Sequence, residues 1–285
     1  TTQPARLIHR TLSRANLAII LGLVVLILAG GSGYGLVRAY MAENSFSRSL
    51  VKLDARDGTG AYNLQIDAIS KNPTISRYHM VYSQTNMALA NNLVNTATGS
   101  ATESAEASKN RQLTTELIQQ AIREAKLAVN LAPNNIVAWE NLADIYQTLT
   151  GAAKGADQWT IASYQQAIQL DPTNPVLRLR LGGAYVAIRA LDRARDSYMA
   201  SISLKPDYAN AYYNLSFVYK QQKLFLPAAQ VLKETLKYIA SGSDDAVRIE
   251  KELADLRELL TDIEKLALDA PPPGTTDSEI LSPLP

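Results

Sequence analysis

Two asparagines and one arginine hold matching places in this 285-residue chain: Asn141 precedes Leu142, Arg180 precedes Leu181 and Asn214 precedes Leu215. An Asn amide can donate to a peptide C=O and accept from a peptide N–H, so such a row reads main chain rather than sequence. Near it in the sequence stand Glu140, Asp144, Tyr213, Phe217 and Lys220, which mix charge with apolar surface and could hold a partner's side chains. Other chemistries are poorly supplied. Cys is absent, which removes disulfides, thiolate metal sites and Cys nucleophiles together. His9 and His79 are the only histidines, too few for a multi-His metal site, and a packing or surface role is assigned to His79. The sequence therefore predicts no catalytic set, no metal and no cofactor. With 28 Lys+Arg against 27 Asp+Glu the net charge is +1, so no global field draws the chain to nucleic acid.

The elements that must position these residues repeat. Pro172 and Pro206 lie thirty-four residues apart, and in that frame Leu181 and Gly182 align with Leu215 and Ser216, Tyr185 with Tyr219, and Ala194 with Ala228. One unit earlier, Trp139, Leu142, Ala143 and Tyr146 precede Tyr164, Ala167 and Pro172 in the same order, with five residues inserted near Gly151 and Gly155. Small residues let paired helices approach, large ones fill the space beside them, and Pro stops each second helix. Over residues 111–240 this pattern resembles the tetratricopeptide repeat family. It departs from that family at Arg178, where the first aromatic is expected, and at Ala240, where a further Pro would stand. The resemblance implies a helix-turn-helix solenoid whose first helices line a concave groove. It also implies that Asn141 and Asn214, flanking Arg180, hydrogen-bond an extended peptide, while Glu140, Asp144, Tyr213, Phe217 and Lys220 supply specificity. The Asn residues are equally compatible with plain repeat consensus. The basic clamp that some members use for a C-terminal carboxylate is incomplete, because Glu140 and Asp144 lie where positive charge would help.

Upstream, Ala121, Ala125, Ala128 and Pro133 read as a second helix whose partner spans about residues 75–95, and residues 41–95 as a whole are assigned degenerate repeat-like helices. Residues 96–110, rich in Ala, Ser, Thr and Gly, are expected to form a flexible insertion. From residue 15 to residue 37 there is no charge, a run of about 35 Å as helix against a hydrocarbon core of about 30 Å. A transmembrane helix is assigned to residues 15–40, behind a basic flank at 1–14 that carries Arg6, Arg10 and Arg14. A cleaved signal or a buried core helix are the other readings, but the run is longer than a signal needs. Basic residues on the two flanks nearly balance. The large domain on the C-terminal side favours an N-terminus in the cytoplasm and repeats outside it. Gly31-x-x-x-Gly35 has the spacing for packing on another membrane helix. The chain opens on Thr1 rather than Met, as a processed product or a fragment does.

Beyond residue 240, Ile249, Leu253, Leu256, Leu260, Ile263 and Ala267 make one apolar stripe, predicting a capping helix over 241–269. Residues 270–285 are expected to be a disordered tail. A looser resemblance covers most of the chain. The uncharged segment running into Asp57, Gly58, Thr59, Ala61 and Tyr62, then Arg77, Tyr78, Tyr82, Ser83 and Gln84, looks like the C-terminal part of bacterial membrane proteins resembling O-antigen ligases or polymerases. That resemblance implies a recognition module whose glycan-transfer site would lie elsewhere. The combined expectation is an all-α chain, an N-terminal transmembrane helix followed by a capped repeat solenoid that binds a protein or peptide at the cell envelope.

Overall fold

The computed structural model describes residues 14–97 and 105–270, with the side chains of 14–20, 24, 26–30, 32, 96, 97 and 105 outside the described set. The expected tail and the first thirteen residues of the basic flank lie outside the described residues. Two compact units divide the chain, residues 1–131 and 132–285.

The first unit holds α1 (Arg14–Asp54), α2 (Gly58–Lys71), α3 (Ser76–Ala97) and α4 (Ala105–Leu131). α1 runs 41 residues, so residues 41–53 form one helix with the uncharged segment. Among the described residues, no helix is long and apolar enough to cross a membrane. The membrane-span expectation falls largely on side chains outside the described set, and a Cβ added at Gly31 or Gly35 would meet nothing within 4 Å. A tight turn follows α1, with Arg56 in the left-handed region at φ 59°. Asp57 then caps α2 by accepting from Gly60 N at 2.8 Å. Phe46 of α1 stacks on Tyr78 of α3 at 4.6 Å between centroids, and the Tyr78 hydroxyl donates to Glu43 at 2.7 Å. The insertion is shorter than expected: α3 runs to Ala97 and α4 starts at Ala105, because the Ala residues at both edges favour continuing the helices. Residues 98–104 are outside the described set.

The second unit stacks three helix pairs: α5 (Ile136–Thr148) with α6 (Ala156–Leu170), α7 (Pro175–Ala187) with α8 (Leu191–Leu204), and α9 (Ala209–Gln221) with α10 (Phe225–Thr235). Asn135 and Asn174 cap α5 and α7 by accepting from Val137 N and Val176 N, both at 3.0 Å. Arg189 and Lys223 hold the left-handed turn inside the second and third pairs, at φ 58° and 60°. In the first pair the five inserted residues replace that turn, and Gly151 and Gly155 take the positive φ instead. Ala143, Tyr164, Leu181, Tyr185, Ala194, Tyr198, Leu215 and Val218 form the core of these pairs.

One bond recurs at the start of each pair of the second unit. Trp139 Nε1 donates to the Pro133 carbonyl at 2.7 Å, and the Tyr212 hydroxyl to the Pro206 carbonyl at 2.9 Å, each spanning six residues. Arg178 fills the missing aromatic's place, since Arg178 Nη2 donates to the Pro172 carbonyl at 3.2 Å across the same span. In the first unit His79 Nε2 does so to the Pro73 carbonyl at 2.8 Å. His79 thus has a packing role with a defined hydrogen-bond task.

The single capping helix is corrected to two. α11 (Asp244–Glu258) and α12 (Asp262–Asp269) are separated because Thr261 and Glu264 form a capping box that restarts the helix. Ile249, Leu256, Leu260 and Leu268 pack on Ala228, Ala229 and Leu232 of α10. Ile263, expected in the buried stripe, is 80% exposed, because the restart turns it outward.

Candidate groove on the first helices of the pairs

The predicted groove residues lie on α5, α7 and α9, and the structure treats them unequally. Arg180 Nη1 donates to Asp144 Oδ1 at 3.0 Å and to Oδ2 at 2.8 Å, tying α7 to α5. Glu140 Oε1 lies 3.9 Å from Arg180 Nε. From α6 the Tyr164 hydroxyl donates to Asp144 Oδ1 at 2.5 Å and stands 2.9 Å from Gln147 Oε1. Burial, and then the nearby Asp144 charge, raise the pKa of Glu140 against the pull of Arg180. Burial followed by the bond to Asp144 raises that of Tyr164. For Arg180, burial opposes the charged form, but Asp144 outweighs it and the pKa rises. These charges satisfy one another within the protein.

The asparagine row is partly corrected. Asn141 is 4% exposed, because an amide on so short a stem stays in the crevice, whereas Arg180 at the equivalent place is long enough to emerge. Asn214 is half-buried, and its Nδ2 donates to the Asn210 carbonyl at 2.7 Å. At the last pair the cap intervenes: Lys220 pairs with Glu252 of α11, and the Arg248 guanidinium sits 5.6 Å from the Tyr213 ring. Phe217 keeps 39% of its surface exposed. Eleven residues after the repeat prolines stand Asp144 and Gly183, and Phe217 holds that place after Pro206, so one surface position is acidic, open and aromatic in turn.

Sequence reasoning assigned no groove role to Tyr164, Gln147, Tyr198, Arg248 or Glu252. The two tyrosines were legible as core aromatics. That their hydroxyls reach the surface position follows only from pairing it with the proline frame. Among the described residues no group of three or more His, Cys, Asp and Glu could hold a metal ion.

Helix pairs of this length, each opened by a bond to a proline carbonyl and packed through Ala, Gly and Tyr, define a tetratricopeptide-type fold. Solved structures share it. The crystal structure of MamA superposes with a TM-score of 0.52 at 18% identity, covering 73% of this chain and 92% of that one. PilF of Pseudomonas aeruginosa gives 0.54 at 12% identity, over 78% of this chain and 86% of that one. PilW, described as a type IV pilus biogenesis factor, gives 0.54 at 12% identity, over 80% and 90%. These likenesses concern the fold, and none of the three is described as an O-antigen ligase or polymerase. No protein-family model matches the chain, and no curated protein matches it.

Proposed function

We propose that the chain is a membrane-anchored, non-catalytic scaffold that binds a protein or peptide partner along α5, α7 and α9 at the cell envelope. The observation that carries the binding reading is the row Asp144, Gly183, Phe217, where one place in three successive pairs is offered to solvent with different chemistry. A partner lying across the three helices would meet charge, an open backbone and an aromatic face in order. Support for anchoring is the uncharged sequence from 15 to 37, continuous in helix with the first unit. The repeats are then outside the cytoplasm, by the argument from domain size, the basic residues of the two flanks being nearly balanced.

A photo-crosslinking residue placed at Phe217 in cells of the source organism should trap a partner. One at Met199, more exposed but on α8, should not. Equal yields from both would defeat the groove reading. Alkaline extraction tests the anchor: the full chain should stay in the membrane pellet, and its release into the supernatant would rule the anchor out.

A further inference from the structure

In the first helix pair of the second unit, the second-helix tyrosine has its acceptor. Tyr164 donates to Asp144, and Arg180 from the next pair closes over the same carboxylate. In the next pair the corresponding tyrosine is Tyr198 of α8, and the place of Asp144 is taken by Gly183. The Tyr198 ring lies against Gly182, so close that a Cβ there would be 2.4 Å from the ring, and the hydroxyl reaches 3.9 Å from where a Gly183 Cβ would stand. Tyr198 is 3% exposed, and among the described residues its hydroxyl has no hydrogen-bond partner. Gly183 itself is partly exposed. A buried phenol is therefore aimed at a gap in the groove face where the neighbouring pair keeps a carboxylate. The ring is buried while the hydroxyl oxygen still touches solvent, so an acceptor brought from outside can take the place of water there.

The surroundings say which acceptor. Arg180, eight residues after Pro172, lies over Asp144; eight residues after Pro206 stands Asn214, so by repeat register the residue corresponding to Arg180 in the next pair is a neutral amide, whose Nδ2 gives one hydrogen to the Asn210 carbonyl and keeps a second. The cations on this face are engaged, Arg180 with Asp144 and Lys220 with Glu252. A carboxylate brought to Gly183 would lose water without gaining a counter-charge. A neutral carbonyl meets two neutral donors, and the missing side chain lets a backbone come close.

We propose that the gap at Gly183 is where an extended partner peptide presents one main-chain carbonyl, received by the Tyr198 hydroxyl and the Asn214 amide. The residue next to that carbonyl lays an apolar side chain on Phe217. This rests on the groove reading above and gives it a register: the peptide crosses α7 at Gly183, between the ion-paired Asp144 cluster and the capped end.

The test uses the full chain and synthetic peptides selected on it from a random dodecapeptide library. Each peptide is then remade with one backbone carbonyl at a time changed to a thiocarbonyl, a weaker acceptor. One position should weaken binding about 3–10-fold, as Tyr198→Phe should with the intact peptide. In the Tyr198→Phe protein that same thiocarbonyl should have no further effect. Gly183→Asp, which supplies an internal acceptor as Asp144 does, should weaken binding at least tenfold while thermal unfolding stays unchanged or moves up. Binding that needs Phe217 but ignores both Tyr198→Phe and Gly183→Asp overturns the subsite and leaves the groove. Coupling of Tyr198 to a peptide carboxylate instead of a thiocarbonyl overturns the choice of acceptor. Binders indifferent to all three positions, or no binders at all, overturn the groove reading as well.

Discussion

The two units use the same frame and fill it differently. In the second, the positions between paired helices carry Leu142, Leu181, Leu215, Tyr164, Tyr198 and Leu232, all buried, and apart from Asn141 the buried polar residues are the short Thr160, Ser163, Ser201, Ser216 and Thr235. In the first, buried positions carry Ser45, Ser49, Gln65, His79, Ser83, Thr85 and Asn86 beside Phe46, Tyr78 and Tyr82. Gln65 occupies the place of Tyr164 and Tyr198, and neither of its amide atoms finds a partner in the protein. What both units share is Ala at the close approaches, such as Ala61 and Ala68 against Ala194 and Ala228, and the bond to a proline carbonyl from His79, Trp139, Arg178 or Tyr212. The geometry of a helix pair is thus set by where chains can come close and where a helix must begin. The large apolar residues set how strongly it holds.

Both tryptophans, Trp139 and Trp159, lie in the second unit, so their fluorescence follows that unit while far-ultraviolet circular dichroism follows both. The comparison predicts an early urea transition visible in dichroism but not in fluorescence. The largest effect should come from Leu181→Ala, which leaves a cavity in the second core and should cost about 2–5 kcal/mol in the fluorescence transition. A loss under about 1 kcal/mol would mean that the second core is not the tighter one. Next, Gln65→Met keeps the side chain's length and removes two buried unpaired polar atoms, so the early transition should move up by about 1–3 kcal/mol. No gain would show that Gln65 is satisfied in solution.

The smallest effect is on pH. His79 Nδ1 donates to Glu124 Oε2 at 2.6 Å and Nε2 to the Pro73 carbonyl, so both ring nitrogens face acceptors and the imidazolium suits the site. Burial pulls its pKa down, but the bonds to Glu124 and Pro73 outweigh it and the pKa lies above the ordinary 6.5. A raised folded pKa contributes stability that is complete below the unfolded value and is lost as pH rises through the folded one. The early transition should therefore weaken from about pH 6 upward through the raised folded pKa, and His79→Gln should flatten that slope. An unchanged slope in the variant would assign it to other groups.

Much of this was legible in the sequence because prolines and small residues have few other uses. The spacing of Pro133, Pro172 and Pro206 located the pairs, and Ala121, Ala128 and Pro133 located α4. The break between α11 and α12 was not visible, since apolar spacing continued across Thr261 and only its capping box reveals the restart. Nor could the groove be read residue by residue. Asn141 and Asn214 share a motif position, yet the first is sealed in the interior and the second only partly exposed. Lys220 looked free because its partner, Glu252, is 32 residues away on a cap helix whose placement no local pattern specifies.

The 41-residue α1 has a mechanical side. At about 1.5 Å per residue it is a rod of roughly 60 Å, and its last third is itself the inner helix of the first pair. The helix has no break between the rod's beginning and the part that packs at its end. Each residue added or removed near Arg38 would turn Phe46 and the helices packed on it by about 100° around the rod axis. Sequence length between residues 30 and 42 therefore acts as an angular setting. It selects the compass direction in which the first unit faces its surroundings, in steps that no flexible linker could transmit.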